Sequence, residues 1–86
     1  MEFKDIKLTY YRDNNYQDIV KILSKNEYTK KVTFKVVDDP NDYWLDELHL
    51  SIDDTSTLDH DSVLNLEDCT ELVGYGTPLY RSINEN

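Results

Sequence analysis

Ile6, Leu8 and Tyr10 recur at every second position in FKDIKLTYY, a stretch rich in aromatic and β-branched residues, and this pattern predicts a strand from Phe3 to Tyr11. RDNN then interrupts it. The period changes next: Tyr16, Ile19, Val20 and Leu23 fall at i, i+3, i+4 and i+7, one face of a helix running from Tyr16 to Ser24, with Asn14 as its cap and Gln17 completing a weak capping box. Beyond SKNEYT, Val32, Phe34 and Val36 alternate with Lys31, Thr33 and Lys35, which predicts a strand from Lys31 to Val37 with one face in the core.

DDPND, Asp38 to Asp42, combines Pro40 with Asx residues and reads as a turn. A further strand is expected from Asp46 to Ile52, where Leu48, Leu50 and Ile52 oppose Glu47, His49 and Ser51, with Tyr43, Trp44 and Leu45 beginning it or packing over its end. DDTSTLDHDS, Asp53 to Ser62, reads as an exposed connection. From Asn65 two readings compete. Leu66, Cys69, Leu72 and Val73 form a helical stripe with Gly74 at the C-cap, while Cys69, Glu71, Val73 and Tyr75 alternate as in a strand; the helix is preferred. In the tail, GTPLYRSINEN, Leu79 and Tyr80 are the residues that can dock.

These elements make an α+β fold. The expectation is a single small domain over residues 1–80 with a three- to four-stranded, mainly antiparallel sheet, one helix in the N-terminal half, a short C-terminal helix, and a flexible tail at 81–86. A chain of 86 residues has room for one modest core, and seven tyrosines, two phenylalanines and a tryptophan are more than a solvated acidic tail carries. No apolar run approaches the ~18 residues of a membrane span, and MEFKDIKLTYY lacks the features of a signal peptide, so a cytoplasmic protein without membrane contact is expected. The lone Cys69 can neither staple the fold nor build a metal cluster and reads as a small buried hydrophobe.

Charge changes the picture most. The net charge of −9 is unevenly spread: residues 1–37 hold five acids and eight bases, whereas residues 38–80 hold twelve acids and no base. Such a stretch forfeits local ion pairs, should repel free nucleic acid and anionic membrane, and should attract basic protein surfaces.

Catalytic chemistry finds little support. His49 falls on the polar side of an expected strand and His60 in an acidic loop, so neither anchors a triad. Asp53, Thr55, Thr57, Asp59 and Asp61 superficially resemble a calcium loop, but the central glycine is missing and Leu64 stands where the bidentate Glu belongs. Gly74 and Gly76 lack the rest of a phosphate loop. The expectation is a non-enzyme with no metal and no cofactor.

The acidic segment has a bland reading, a solvated surface that keeps a small domain soluble, and a sharper one, mimicry of nucleic-acid phosphates. Acids two apart on a strand, such as Asp59 and Asp61, span about 6.6 Å, and acids four apart on a helix, such as Glu67 and Glu71, span about 6 Å, close to the roughly 6–7 Å between successive phosphates. The candidate contact patch comprises Asp38, Asp39, Asp42, Asp46 and Glu47 around the first turn. It continues through Asp53, Asp54, Asp59 and Asp61 in the loop and Glu67, Asp68 and Glu71 on the last element. Tyr43, Trp44 or Tyr75 can add an aromatic anchor, although core packing is the stronger reading for Trp44.

In size and charge the chain resembles the small acidic inhibitors encoded by bacteriophages and mobile elements, some of which occupy DNA-binding sites on other proteins. That resemblance implies an inhibitor whose partner is a basic nucleic-acid-binding protein. The alternative is a non-mimetic interaction module, including a homodimer, that docks through a sheet edge or a tyrosine-rich face.

Overall fold

The computed structural model describes residues 1–76; Leu79, Tyr80 and the expected tail at 81–86 lie outside the described residues. Five strands form one antiparallel sheet: β1 (Tyr10–Asp13), β2 (Ile19–Asn26), β3 (Lys31–Asp38), β4 (Thr55–Asp59) and β5 (Cys69–Glu71), in the order β4-β3-β2-β1-β5. Two short helices, α1 (Tyr43–Leu48) and α2 (His60–Val63), and a 3-10 turn at Phe3–Asp5 complete the described residues. The α+β class is as expected from the sequence, with five strands in place of three or four.

The central pair carries the core. Val20 faces Val36 and Ile22 faces Phe34 across β2 and β3, and all four are buried. Their neighbours Lys21 and Lys35 oppose each other on the other side of the pleat. Phe3 and Ile6 from the N-terminus, Trp44 from α1, and Val63 and Leu64 from the α2 region close over the apolar face. The chain passes from β4 at one edge to β5 at the other through α2 and residues 64–68, so this crossover is part of the cover.

Where the helix from Tyr16 to Ser24 was expected, the chain forms a turn and β2. Ile19, Val20 and Ile22 are β-branched and favour a pleated, half-buried surface. A register shift between Ile22 and Ser24 hides the period of two in the sequence, and beyond it Lys25, opposite Val32, turns inward to lay its ammonium 5.1 Å from the Phe3 ring centroid. Of the expected helical stripe only Val20 is buried.

The strand expected at Asp46 to Ile52 is instead α1 and a loop. Asp39 decides this: its carboxylate accepts from the backbone N–H groups of Tyr43 (2.8 Å), Trp44 (3.2 Å) and Leu45 (3.4 Å), satisfying donors that the first helical turn leaves open. Leu50 N–H closes the far end on the Trp44 carbonyl at 3.1 Å. The hairpin implied around DDPND therefore does not form, and β3 pairs with β4 across the α1 connection. Within the expected exposed connection, Thr55 to Asp59 find β3 as a partner and His60 to Val63 coil into α2.

The C-terminal helix is also replaced. Cys69 to Glu71 pair with β1, tied by Asn14, whose side-chain amide donates to Asp68 Oδ1 and Thr70 Oγ1. The first strand is shorter and later than its pattern suggests, because Phe3 and Ile6 plug the core from outside the sheet while Tyr11 enters it from β1. Tyr11 also accepts a 3.0 Å hydrogen bond from Lys7 N–H.

Ile22 is 0% exposed and Leu23 39% exposed, the reverse of what the helical stripe requires. Ile22→Ala should cost about 2–5 kcal/mol in denaturant unfolding, and Leu23→Ala less than about 1 kcal/mol. Equal losses would contradict the β2 register.

Candidate functional site

The strand alternation and the cover separate the charges. Arg12, Lys21 and Lys35 lie on the open face of the sheet, where the Lys21 ammonium sits 5.3 Å from the Tyr10 ring centroid. The acids from Asp38 to Asp68 lie on α1, α2 and their flanking loops, and at the sheet margins. Of the candidate contact residues Asp38, Asp42, Asp46, Glu47, Asp53, Asp54, Asp59, Asp61, Glu67 and Asp68 are exposed, while Asp39 and Glu71 are half-buried. Among the described residues the ion pairs are Lys4 with Glu2 and Lys7 with Glu71, so none of the acids from Asp38 to Asp68 has a cationic side-chain partner.

Several of these acids also hold the fold. Asp39 caps α1, Asp54 accepts from Ser51 N–H at 2.9 Å, Asp38 accepts from Asp39 N–H, and Asp68 accepts from Asn14. The phosphate-like spacings do not arise as expected: Asp59 ends β4 while Asp61 lies in α2, and Glu67 sits in a turn while Glu71 belongs to β5. Trp44 is 2% exposed and packs 5.3 Å from Phe34, ring centroid to ring centroid, so a partner cannot reach its face without opening the core. Tyr43 is half-buried and stacks on Tyr16 at 4.6 Å; Tyr75 packs on Tyr10 at 5.1 Å.

Between the β1–β2 turn and the cover lies a cavity of about 380 Å³. Asp13, Tyr16 and Asp18 form one wall, Tyr43 and Trp44 another, and residues 61–67 the third. The turn is fixed by Asp13, whose carboxylate accepts from the N–H groups of Asn15 and Tyr16, and by Gln17 in the left-handed region at φ 65°. Asp18 is the residue that sequence patterning missed. It falls outside the expected apolar stripe of Tyr16, Ile19, Val20 and Leu23, yet it is 3% exposed, and its one legible signal is its place immediately before the apolar IV of β2.

Burial raises the Asp18 carboxyl from the ordinary 3.8 to about 7, helped by a side-chain hydrogen bond to Asp39 and by the negative charges of Asp39, Asp13 and Asp38. Burial likewise raises the Cys69 thiol, which keeps it protonated and unreactive. Tyr43 is pushed up as well, by burial and the neighbouring Tyr16 and carboxylates. Among the described residues, no three His, Cys, Asp or Glu side chains gather in a way that holds a metal ion, and no helix is long and apolar enough to cross a membrane.

The folded protein holds the Asp18 proton more tightly than the unfolded chain does, so this residue's contribution to stability falls as pH rises from about 4 to about 7 and is level above that. Asp18→Asn should remove that component: the variant should match the wild type near pH 4 and exceed it at pH 8 in thermal and denaturant unfolding. A wild-type advantage at pH 8 would contradict the assignment. Comparison with known proteins returns no match, whether to a family model, to a curated protein or to a solved structure.

Proposed function

We propose that this protein is a binding inhibitor that acts by occupancy rather than catalysis, presenting its carboxylate layer to the basic surface of a DNA- or RNA-binding protein and excluding the nucleic acid. The observation that supports this is the run of acids from Asp38 to Asp68, all exposed but Asp39, without a cationic side-chain partner among the described residues. Clustered like charges destabilise a compact state, and a cationic partner relieves that repulsion on binding. The partner would already carry lysines and arginines aimed at phosphates, so association would be fast at low salt and weaken steeply as salt rises. The same charge argues against direct nucleic-acid or anionic-membrane binding.

Asp42, Asp46, Glu47 and Asp53 are the acids to test, because their side chains make no hydrogen bond that holds the fold. An origin in a bacteriophage or mobile element, where small acidic inhibitors recur, belongs to this reading, as does action in the cytoplasm.

A second reading is favoured by Leu45, Leu48 and Ile52, which are exposed on α1 and the loop after it. An apolar patch there suits a non-mimetic interaction module or a homodimer. The two readings differ in salt dependence. Affinity capture from a cell extract at low salt, eluted with duplex DNA, should release a basic nucleic-acid-binding protein. The combined variant Asp42→Asn, Asp46→Asn, Glu47→Gln and Asp53→Asn should weaken that capture by roughly tenfold or more. Capture indifferent to DNA, to salt and to the fourfold variant, but lost on Leu45→Ser with Leu48→Ser, would overturn mimicry in favour of the apolar contact.

A further inference from the structure

We propose that the cavity between the β1–β2 turn and the helical cover is a receptor for a basic peptide side chain, an arginine or lysine whose cationic head enters among Asp13, Asp18, Asp61 and Glu67. The peptide source of that cation rests on the protein-binding reading above; the chemistry of the cavity stands apart from it.

Two buried side-chain atoms in the described residues have no hydrogen-bond partner, Asp18 Oδ1 and Trp44 Nε1, and both residues line this cavity. Asp18 and Trp44 are each more than nine-tenths buried. An orphaned acceptor and an orphaned donor on the wall of one cavity are an uncompensated cost of folding, which a ligand with complementary groups removes. Carboxylates contribute to every side of the lining except the Tyr43–Trp44 wall, and among the described residues neither lysine nor arginine contributes to it. Tyr16 and Tyr43, stacked at an interplanar angle of 21°, add π faces that attract a cation.

The pair of orphans also bears on which cation fits. Asp18 calls for a donor, which any ammonium or guanidinium supplies. Trp44 Nε1–H calls for an acceptor, which a free polyamine lacks and a peptide carries in its backbone carbonyl. A cavity of about 380 Å³ suits one such residue, lying within the size range of small-ligand sites. Both orphaned atoms are closed to solvent, so entry requires a side-chain rotation in the wall, and Trp44, the sole tryptophan, reports it.

The acidic environment of Asp18 makes binding pH-dependent. Asp13 faces it from β1, Asp38 and Asp39 from the end of β3 and the turn after it, and Asp61 and Glu67 share the cavity from α2 and the crossover. A cation favours the ionised carboxyl, so the bound protein releases a proton and affinity rises from pH 6 to pH 8.

The test is titration of the 86-residue protein with N-acetyl-arginine methylamide, N-acetyl-lysine methylamide and spermidine at constant ionic strength, followed by Trp44 emission and by the ring NMR signals of Tyr16 and Tyr43. The expected result is a saturable change with an arginine or lysine probe, stronger at pH 8 than at pH 6. It should weaken by roughly tenfold in Asp18→Asn and by severalfold in Tyr16→Leu, and persist in the fourfold variant of the outer layer. Saturation by spermidine alone would overturn the peptide assignment, and the lack of any Asp18-dependent saturation would overturn the receptor itself. DNA-sensitive capture by the wild-type protein separates the two proposals: capture with a failed wild-type titration removes the cavity and leaves the acidic layer, whereas a successful wild-type titration without DNA-sensitive capture does the reverse.

Discussion

Val20 against Val36 and Ile22 against Phe34 give one side of a narrow sheet an apolar centre, and that surface must be covered for the chain to fold at all. The N-terminal turn covers part of it with Phe3 and Ile6. The rest falls to the segment that contains no lysine or arginine, which supplies Trp44, Val63 and Leu64 to the inside and carboxylates to the outside. Segregation of charge is therefore a consequence of topology. Arg12, Lys21 and Lys35, brought by β1 to β3, remain on the open sheet face, while Lys25 turns in toward Phe3 and the acids brought by the cover lie on the layer above the core.

Asp18 and Asp39 show what this arrangement costs. Asp39 is committed to three backbone donors at the start of α1, which holds Trp44 over Phe34. Asp18 is buried beside it and, short of hydrogen-bond donors, keeps its proton to near neutral pH. One carboxylate thus serves in forming a helix, and one oxygen of its neighbour, Asp18 Oδ1, is left without a partner next to a cavity. Buried polar exceptions of this kind in natural proteins often coincide with sites of binding.

The part of this architecture legible in the sequence was the part governed by one strong local rule. Lys31 to Val37 alternates cleanly and is found as β3, and the absence of lysine and arginine from residues 38–80 is visible without any structure. Elements failed where a tertiary or side-chain interaction overrode the period. The β2 register shift made a strand look helical, the Asp39 cap turned an alternating stretch into α1, and pairing with β1 drew Cys69–Glu71 into the sheet although its stripe suits a helix equally well. At the site, the charged positions were readable but their spacing was not, since Asp59 with Asp61 and Glu67 with Glu71 fall on different elements. The cavity was invisible because Asp18 gains its properties from burial and from Asp39, Asp13 and Asp38, which the β1–β2 and β3–α1 turns bring together.

The most direct test of the acidic layer as the binding face is backbone amide NMR of the labelled protein with and without a DNA-binding protein that it captures. The largest shifts are expected at Asp42 to Asp54 and around Glu67, with the open-face residues Tyr10, Lys21 and Lys35 little changed. Shifts centred on Tyr10, Lys21 and Lys35, with the acidic layer unperturbed, would contradict it.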